Sequence, residues 1–289
     1  MSLPYSEFPV YIGQAGVGSS TPPNEINDYL PVTQASVSYN TASSVRRKLG
    51  KSVDASDQFT FNSALSADIS VSCLLQSGML SGLDFLLDAN QDDFVAMKLG
   101  SGIYNQCYVK DISLSISPFE PVILQANFVS LDPVTGGGIT RNTSFVGIGS
   151  SSPTLDTDGI VYGHTCSVSD TANVLGQVQS QINFNRKYTR TPIYGLGSVN
   201  ASSMLLDGVE EEMSVSSTGL DTLINFSGEK LTSQLHVDLK IQGGVGIGTQ
   251  SPIADLIKFT AGARVLTESY SVQGGEAIQT TATIKQVKL

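Results

Sequence analysis

Cys107–Leu131 reads CYVKDISLSISPFEPVILQANFVSL. Ile112, Leu114 and Ile116 alternate with Ser113, Ser115 and Ser117, so one face is apolar and the other polar. That period of two belongs to a half-buried strand. Pro118-Phe119-Glu120-Pro121 breaks the run, and Val122, Leu124, Ala126 and Phe128 resume it. The stretch predicts two strands around a short turn. Near the end of the chain it returns as Val265–Leu289, VLTESYSVQGGEAIQTTATIKQVKL. Leu114 answers to Tyr270, Ile116 to Val272, Glu120 to Glu276, Val122 to Ile278, Ala126 to Ala282 and Phe128 to Ile284, at a constant offset of 156 (270 − 114).

Working outward, two further blocks recur in the same order. Val37-Ser38-Tyr39-Asn40 returns as Ile182-Asn183-Phe184-Asn185 at an offset of 145 (182 − 37), and Gly50 returns as Gly195. Leu65, Ile69, Val71, Cys73, Leu75 and Gly78 match Leu231, Leu235, Val237, Leu239, Ile241 and Gly244 at an offset of 166 (231 − 65). On this alignment the second copy carries 21 extra residues (166 − 145), among them Glu210-Glu211-Glu212. Leu80–Ala89 predicts a helix with Leu83, Leu86 and Leu87 on one face. Its second copy is Ser251–Ile257, with Ser251 as N-cap and Pro252 at the first helical position. The expected fold is mainly β, two similar barrel or sandwich domains in tandem, each with a short flanking helix. Residues 1–31 read as an arm rich in Gly, Ser and Pro that lies on something rather than as core. Residues 32–133 form the first β domain, 134–163 a turn-rich linker, and 164–289 the second β domain.

Charged residues make up 15% of the 289-residue chain, against about a quarter in ordinary proteins. Polar but weakly charged surfaces suit β proteins that pack against copies of themselves. The net charge of −10 argues against a protein that grips phosphates, though not against one that nucleic acid slides past. Cys73, Cys107 and Cys166 are odd in number and lack CxxC spacing, so neither a disulfide framework nor a zinc site is expected. All three thiols are expected to be free, in a reducing compartment. The first residues lack the charged and apolar regions of a signal peptide, and no run of about 18 apolar residues predicts a membrane span.

Motifs for chemistry are missing. Gly13-Gln14-Ala15-Gly16-Val17-Gly18 leads into Ser19-Ser20-Thr21-Pro22-Pro23, which cannot open the helix a dinucleotide fingerprint needs. Asp156-Thr157-Asp158-Gly159 echoes a calcium loop, but Ser167 stands where the twelfth-position Glu belongs. Asp92-Asp93 reads as a solvated turn. His164 and His236 are far apart, and no HExxH, GxSxG or P-loop occurs. No enzymatic activity, cofactor or metal is expected.

Positive charge concentrates in Arg46-Arg47-Lys48 and in Arg186, Lys187 and Arg190, each set following the same repeated strand. These read as basic connections, either solvated or reaching an acidic surface on a neighbouring subunit. The strand Val37–Asn40, the long basic connection with Gly50, the long strand ending at Leu75, a helix, and a closing pair around Pro-Phe-Glu-Pro or Gly-Gly-Glu-Ala resemble the tail tube proteins of tailed bacteriophages. The resemblance is one of pattern and element order, and it runs through the chain twice. It implies β domains that join edge strands into rings, and rings that stack into a hollow tube through which DNA leaves the virion. Thr41–Asp57 and Arg186–Asn200 would then be the inter-ring loops, with Arg46, Arg47, Lys48, Arg186, Lys187 and Arg190 as contact candidates. Three two-domain chains would supply the six barrels of a ring, while six chains with one barrel outside the lumen is the other arrangement. Other tail proteins (sheath, terminator or baseplate) would be partners, DNA would pass without specific binding, and no membrane would be involved. The chain would reside in the virion tail after assembly in the host cytoplasm. A baseplate or capsid decoration protein and a surface β-sandwich adhesin are the alternatives.

Overall fold

A computed structural model describes residues 10–14, 28–30, 32–47, 58–75, 94–99, 102–131, 160–163, 166–170, 173–174, 179–196, 201–218, 226–227, 229–238, 257–272 and 278–288. The first half contributes β1 (Val10–Gln14), β2 (Asp28–Leu30), β3 (Val32–Arg47), β4 (Gln58–Leu74), β5 (Val95–Leu99), β6 (Gly102–Ile116) and β7 (Ile123–Ser130). The second contributes β8 (Ser167–Asp170), β9 (Asn173–Val174), β10 (Gln179–Tyr194), β11 (Ala201–Thr218), β12 (Phe226–Ser227), β13 (Lys230–Leu231), β14 (Leu235–Asp238), β15 (Ile257–Phe259), β16 (Arg264–Ser271) and β17 (Gln279–Lys288). The fold is mainly β, with no helix among the described residues. The strands form a sheet of 13 and a sheet of 4, and neither closes into a barrel.

β6 and β7 are the pair foreseen in Cys107–Leu131. Ile112, Leu114 and Ile116 are buried, while Ser113 and Ser115 keep partial access to solvent. Burying each such aliphatic side chain contributes roughly 1.5–3 kcal/mol, which ties the face, and so the register, to the core.

The pairing order of the large sheet is written twice. β3 pairs with β4, β4 with β7 and β7 with β6. β10 pairs with β11, β11 with β17 and β17 with β16. Val37 and Ile182 lie on the first strand of their respective long hairpins, and Leu114 and Tyr270 on the matching strands β6 and β16. The closing hairpins share one register. Leu114 faces Leu124 as Tyr270 faces Thr280, and Ile112 faces Ala126 as Glu268 faces Ala282. β6 also pairs with β10, so one sheet runs through both halves of the chain.

The middle block of the sequence comparison does not hold. Ile69, Val71 and Cys73 lie on β4, but Leu235 and Val237 lie on β14 in the small sheet. By pairing order the counterpart of β4 is β11. The segment with Glu210-Glu211-Glu212 is therefore no insertion but the second strand of the long hairpin. Period-two alternation marks a half-buried strand without saying which sheet it joins, and in β11 it is masked because Glu211 and Ser217 occupy buried positions beside Met213 and Val215.

The small sheet, in order β15-β14-β8-β9, packs over the apolar face of the second half. Val168, Leu235, Val237, Ile257 and Phe259 are buried in the same cluster as Phe184 of β10. The Phe184 and Phe259 rings meet edge-on at 6.3 Å. That one cluster runs from Val10 to Ile284. It draws in two segments not expected in it. Within 1–31, β1 pairs with β2 and β5, and Val10 is 1% exposed. At the end of the expected linker, Ile160 and Val161 are buried. The Val161 N–H donates to the Leu75 carbonyl at 2.9 Å, and the Val161 carbonyl accepts from the Val122 N–H at 2.8 Å. The expected helix Leu80–Ala89 and residues 251–256 of its second copy lie outside the described residues, while Ile257 begins β15.

Candidate functional site

Where β7, β6, β10 and β11 lie side by side, their outward positions carry Gln125, Ser113, Ser115, Asn183, Asn185 and Ser214. Together with Asp111 and Glu212, and with Leu114, Ile123 and Phe184 among them, they line a groove of about 570 Å³. The charges on this face are largely matched. Lys110 pairs with Asp68 at 3.0 Å and Lys285 with Glu210 at 3.1 Å. Asn127 Nδ2 donates to Asp111 Oδ1 at 2.6 Å. Lys187 stands in register between Asp111 of β6 and Glu210 of β11. Exposed pairs of this kind contribute about 0–1 kcal/mol each, so their main effect is to leave the face polar and nearly neutral.

Five of the six basic candidates lie on strands rather than in the loops expected. β3 runs to Arg47 and β10 to Tyr194, so Arg46, Arg47, Arg186, Lys187 and Arg190 are strand residues, and Lys48 lies outside the described residues. Charged and polar residues at neighbouring positions mask the period of two in these stretches, so they read as loops. On β10, Ile182, Phe184, Arg186 and Tyr188 all point inward. The Arg186 side chain is 3% exposed and forms an ion pair with Glu211, its opposite number on β11, which is 1% exposed. Gln286, opposite Glu211 on β17, donates through Nε2 to Glu211 and, at 2.7 Å, to the Lys258 carbonyl. Its Oε1 accepts from the Thr260 N–H at 3.2 Å. Arg190 Nε donates to the Val109 carbonyl at 3.1 Å, and its guanidinium lies 5.5 Å from the rings of both Tyr108 and Tyr188. Arg186 and Arg190 thus serve the chain's own packing, and Lys187 belongs to the polar face.

The hairpin β10–β11 presents a surface that the sequence reading did not single out. Past the stretch paired with β6, its tip exposes Ile193, Tyr194 and Leu196, with Leu205 returning beside them. The signal was the apolar run Ile193-Tyr194-Gly195-Leu196 around a glycine. Two long strands also have an open side among the described strands. β3 pairs only with β4 among the described strands, and β16 beyond Val265 pairs only with β17.

No protein-family model matches the chain, and no curated protein matches it in sequence.

Among the described residues no three His, Cys, Asp or Glu side chains group as metal ligands. Cys73, Cys107 and Cys166 are unbridged, and burial pushes the Cys73 thiol up to about 12. His236 is half-buried on β14, and His164 lies outside the described residues. The described residues thus present a polar sheet face, an apolar hairpin tip and long strands with an open side.

Proposed function

We propose that this chain is the building block of a hollow tube, in the manner of the tail tube proteins it resembles, and that the tube is a passive conduit for DNA leaving a virion. The observation that carries the reading is the doubled strand order with its β6–β10 joint, which among the described strands leaves β3 paired only with β4 and β16 beyond Val265 paired only with β17. Long open edges invite pairing and must be covered or used. A ring uses every edge through heterologous contacts that close. Each half of the chain acts as one tube domain, and three chains supply six.

The polar face of the sheet would line the lumen. Ser, Thr, Asn and Gln there hold water, and its lysines stand beside carboxylates, so few cations are left to bind phosphates and release counterions. A wall with little free positive charge lets a polyanion pass without sticking. The exposed tip residues Ile193, Tyr194 and Leu196 would bury against the next ring, with Arg46 and Arg47 at the end of β3 on the other long hairpin. Native mass spectrometry of the purified chain tests the reading. Closed rings of three chains support it, closed rings of six restrict the lumen to one domain per chain, and monomers at every concentration contradict it. Rings that never stack would favour a baseplate component.

A further inference from the structure

The two halves of this chain are joined by a contact that the chain has reason to make again. On β6, the strand edge facing away from β7 is covered by β5 along its first half and by β10 along residues 111–116. On β16, the matching edge is covered by the segment around Lys230 only at its start, where Lys230 pairs with Arg264 and the Val265 N–H donates to the Glu229 carbonyl at 2.8 Å. Residues 266–271 of β16 have no strand on that side among the described residues. On β10, the edge facing away from β11 is covered by β6, and on β3 the matching edge has no partner among the described strands.

Side-chain exposure tells the same story. Leu114 and Ile116, covered by β10, are 0% and 3% exposed, whereas their counterparts Tyr270 and Val272 are 51% and 69% exposed. The carboxylate of Glu268, the counterpart of Ile112, accepts a hydrogen bond from the Tyr270 hydroxyl on the same face of the strand. Two large side chains left exposed where the counterpart strand buries the same positions mark an edge shaped for a partner strand.

We propose that β16 of one copy pairs antiparallel with β3 of the next, in the register that β6 and β10 have inside the chain. Inside the chain Ile116 faces Ile182, Ser115 faces Asn183, Leu114 faces Phe184 and Ile112 faces Arg186. Carrying these pairs over by the offsets 156 and 145 sets Val272 opposite Val37, Ser271 opposite Ser38, Tyr270 opposite Tyr39 and Glu268 opposite Thr41. The occupant of the edge is therefore a second copy of this chain, joined head to tail, and the sheet continues from copy to copy as it continues from half to half. The inference rests on the tube reading for the existence of the assembly. The choice of strands and register comes from the internal joint.

The test is the full chain carrying Ser38→Cys and Ser271→Cys, both at exposed positions on the polar face. Facing residues of an antiparallel pair have Cα atoms about 4.5–5.5 Å apart, within disulfide reach. A control chain carries Ser36→Cys with Ser271→Cys, two residues out of register and so displaced by roughly 7 Å along the strand. Mild oxidation is followed by denaturing electrophoresis without reductant, with electron microscopy of the same samples. The proposal expects most of the Ser38→Cys/Ser271→Cys chain to run as covalent oligomers, and several-fold less of the control. Rings or tubes that form without the 38–271 crosslink overturn this joint and leave the tube reading standing. Equal crosslinking in the control overturns the register. A chain that stays monomeric overturns both the joint and the tube reading.

Discussion

Removing the guanidinium at Arg186 isolates the contribution of one buried ion pair to this sheet. Arg186→Met keeps the length and apolar stem of the side chain but removes the cation paired with Glu211, which is 1% exposed. Truncating one partner of a buried pair typically costs about 3–5 kcal/mol. At about 2–4 °C per kcal/mol for chains of this size, that is a loss of roughly 6–20 °C in Tm. The double variant Arg186→Met/Glu211→Leu removes both charges. Gln286 then loses one acceptor but keeps its bonds to the Lys258 carbonyl and the Thr260 N–H. Replacing a whole buried pair by apolar groups is often neutral or stabilising, so the double variant is expected to recover most of the loss. The pair also guards register. A slip of two residues between β10 and β11 would keep every face but set Arg186 against Val209 or Met213 instead of Glu211, burying a lone cation. Thermal unfolding of the wild type, both single variants and the double variant closes the cycle. A loss below about 1 kcal/mol for Arg186→Met, or a double variant as unstable as the single, would refute the reasoning.

At Gly163 an added Cβ would lie 1.9 Å from the Ser117 carbonyl oxygen, so Gly163→Ala must displace backbone. The change is expected to cost about 1–3 kcal/mol, read as a lowered unfolding midpoint, and an unchanged midpoint would contradict the packing described. The Cys73 thiol is raised by burial to about 12 from an ordinary value of 9.0, so the folded state holds a proton that the unfolded state releases. Stability should be intact below about pH 9 and fall by about 1.4 kcal/mol per pH unit above it. Cys73→Ala should flatten that slope, as equilibrium unfolding between pH 8 and 11 would show. If the tube reading is right, reversing Arg46, Arg47 and Lys48 to Glu leaves the subunit folded by circular dichroism but blocks tube growth in sedimentation. Long tubes from that variant would remove these residues from the inter-ring contact.

How much of the fold was legible depended on whether the apolar face of each strand was built from apolar residues. β6 and β7 were, because Ile112, Leu114, Ile116, Leu124, Ala126 and Phe128 spell their buried face directly. Their counterparts β16 and β17 were legible only through the offset of 156. Tyr270 and Val272 are exposed in a single chain, so burial alone would not have marked them. β11 escaped because its inward row includes Glu211, which pairs with Arg186 and accepts from Gln286, both on neighbouring strands. No local pattern announces a pair 25 positions apart in sequence (211 − 186). The same distance effect hid the core role of Val10 and Val161, short apolar segments whose partners come from elsewhere in the chain. Of the basic residues singled out, the sequence showed the recurrence after a matching strand, but not that Arg186 and Arg190 turn inward and Lys187 joins the polar face. The apolar tip at Ile193, Tyr194 and Leu196 was passed over because the neighbouring charges drew the argument.

The central claim is that copies of this chain close into rings and that the rings stack around a channel. Cryo-electron microscopy of the purified full chain at high concentration tests it most directly. The account requires hollow tubes or stacked rings, with the sheet face bearing Ser113, Asn183 and Ser214 toward the channel. Dispersed monomers, or filaments without a lumen, would contradict it.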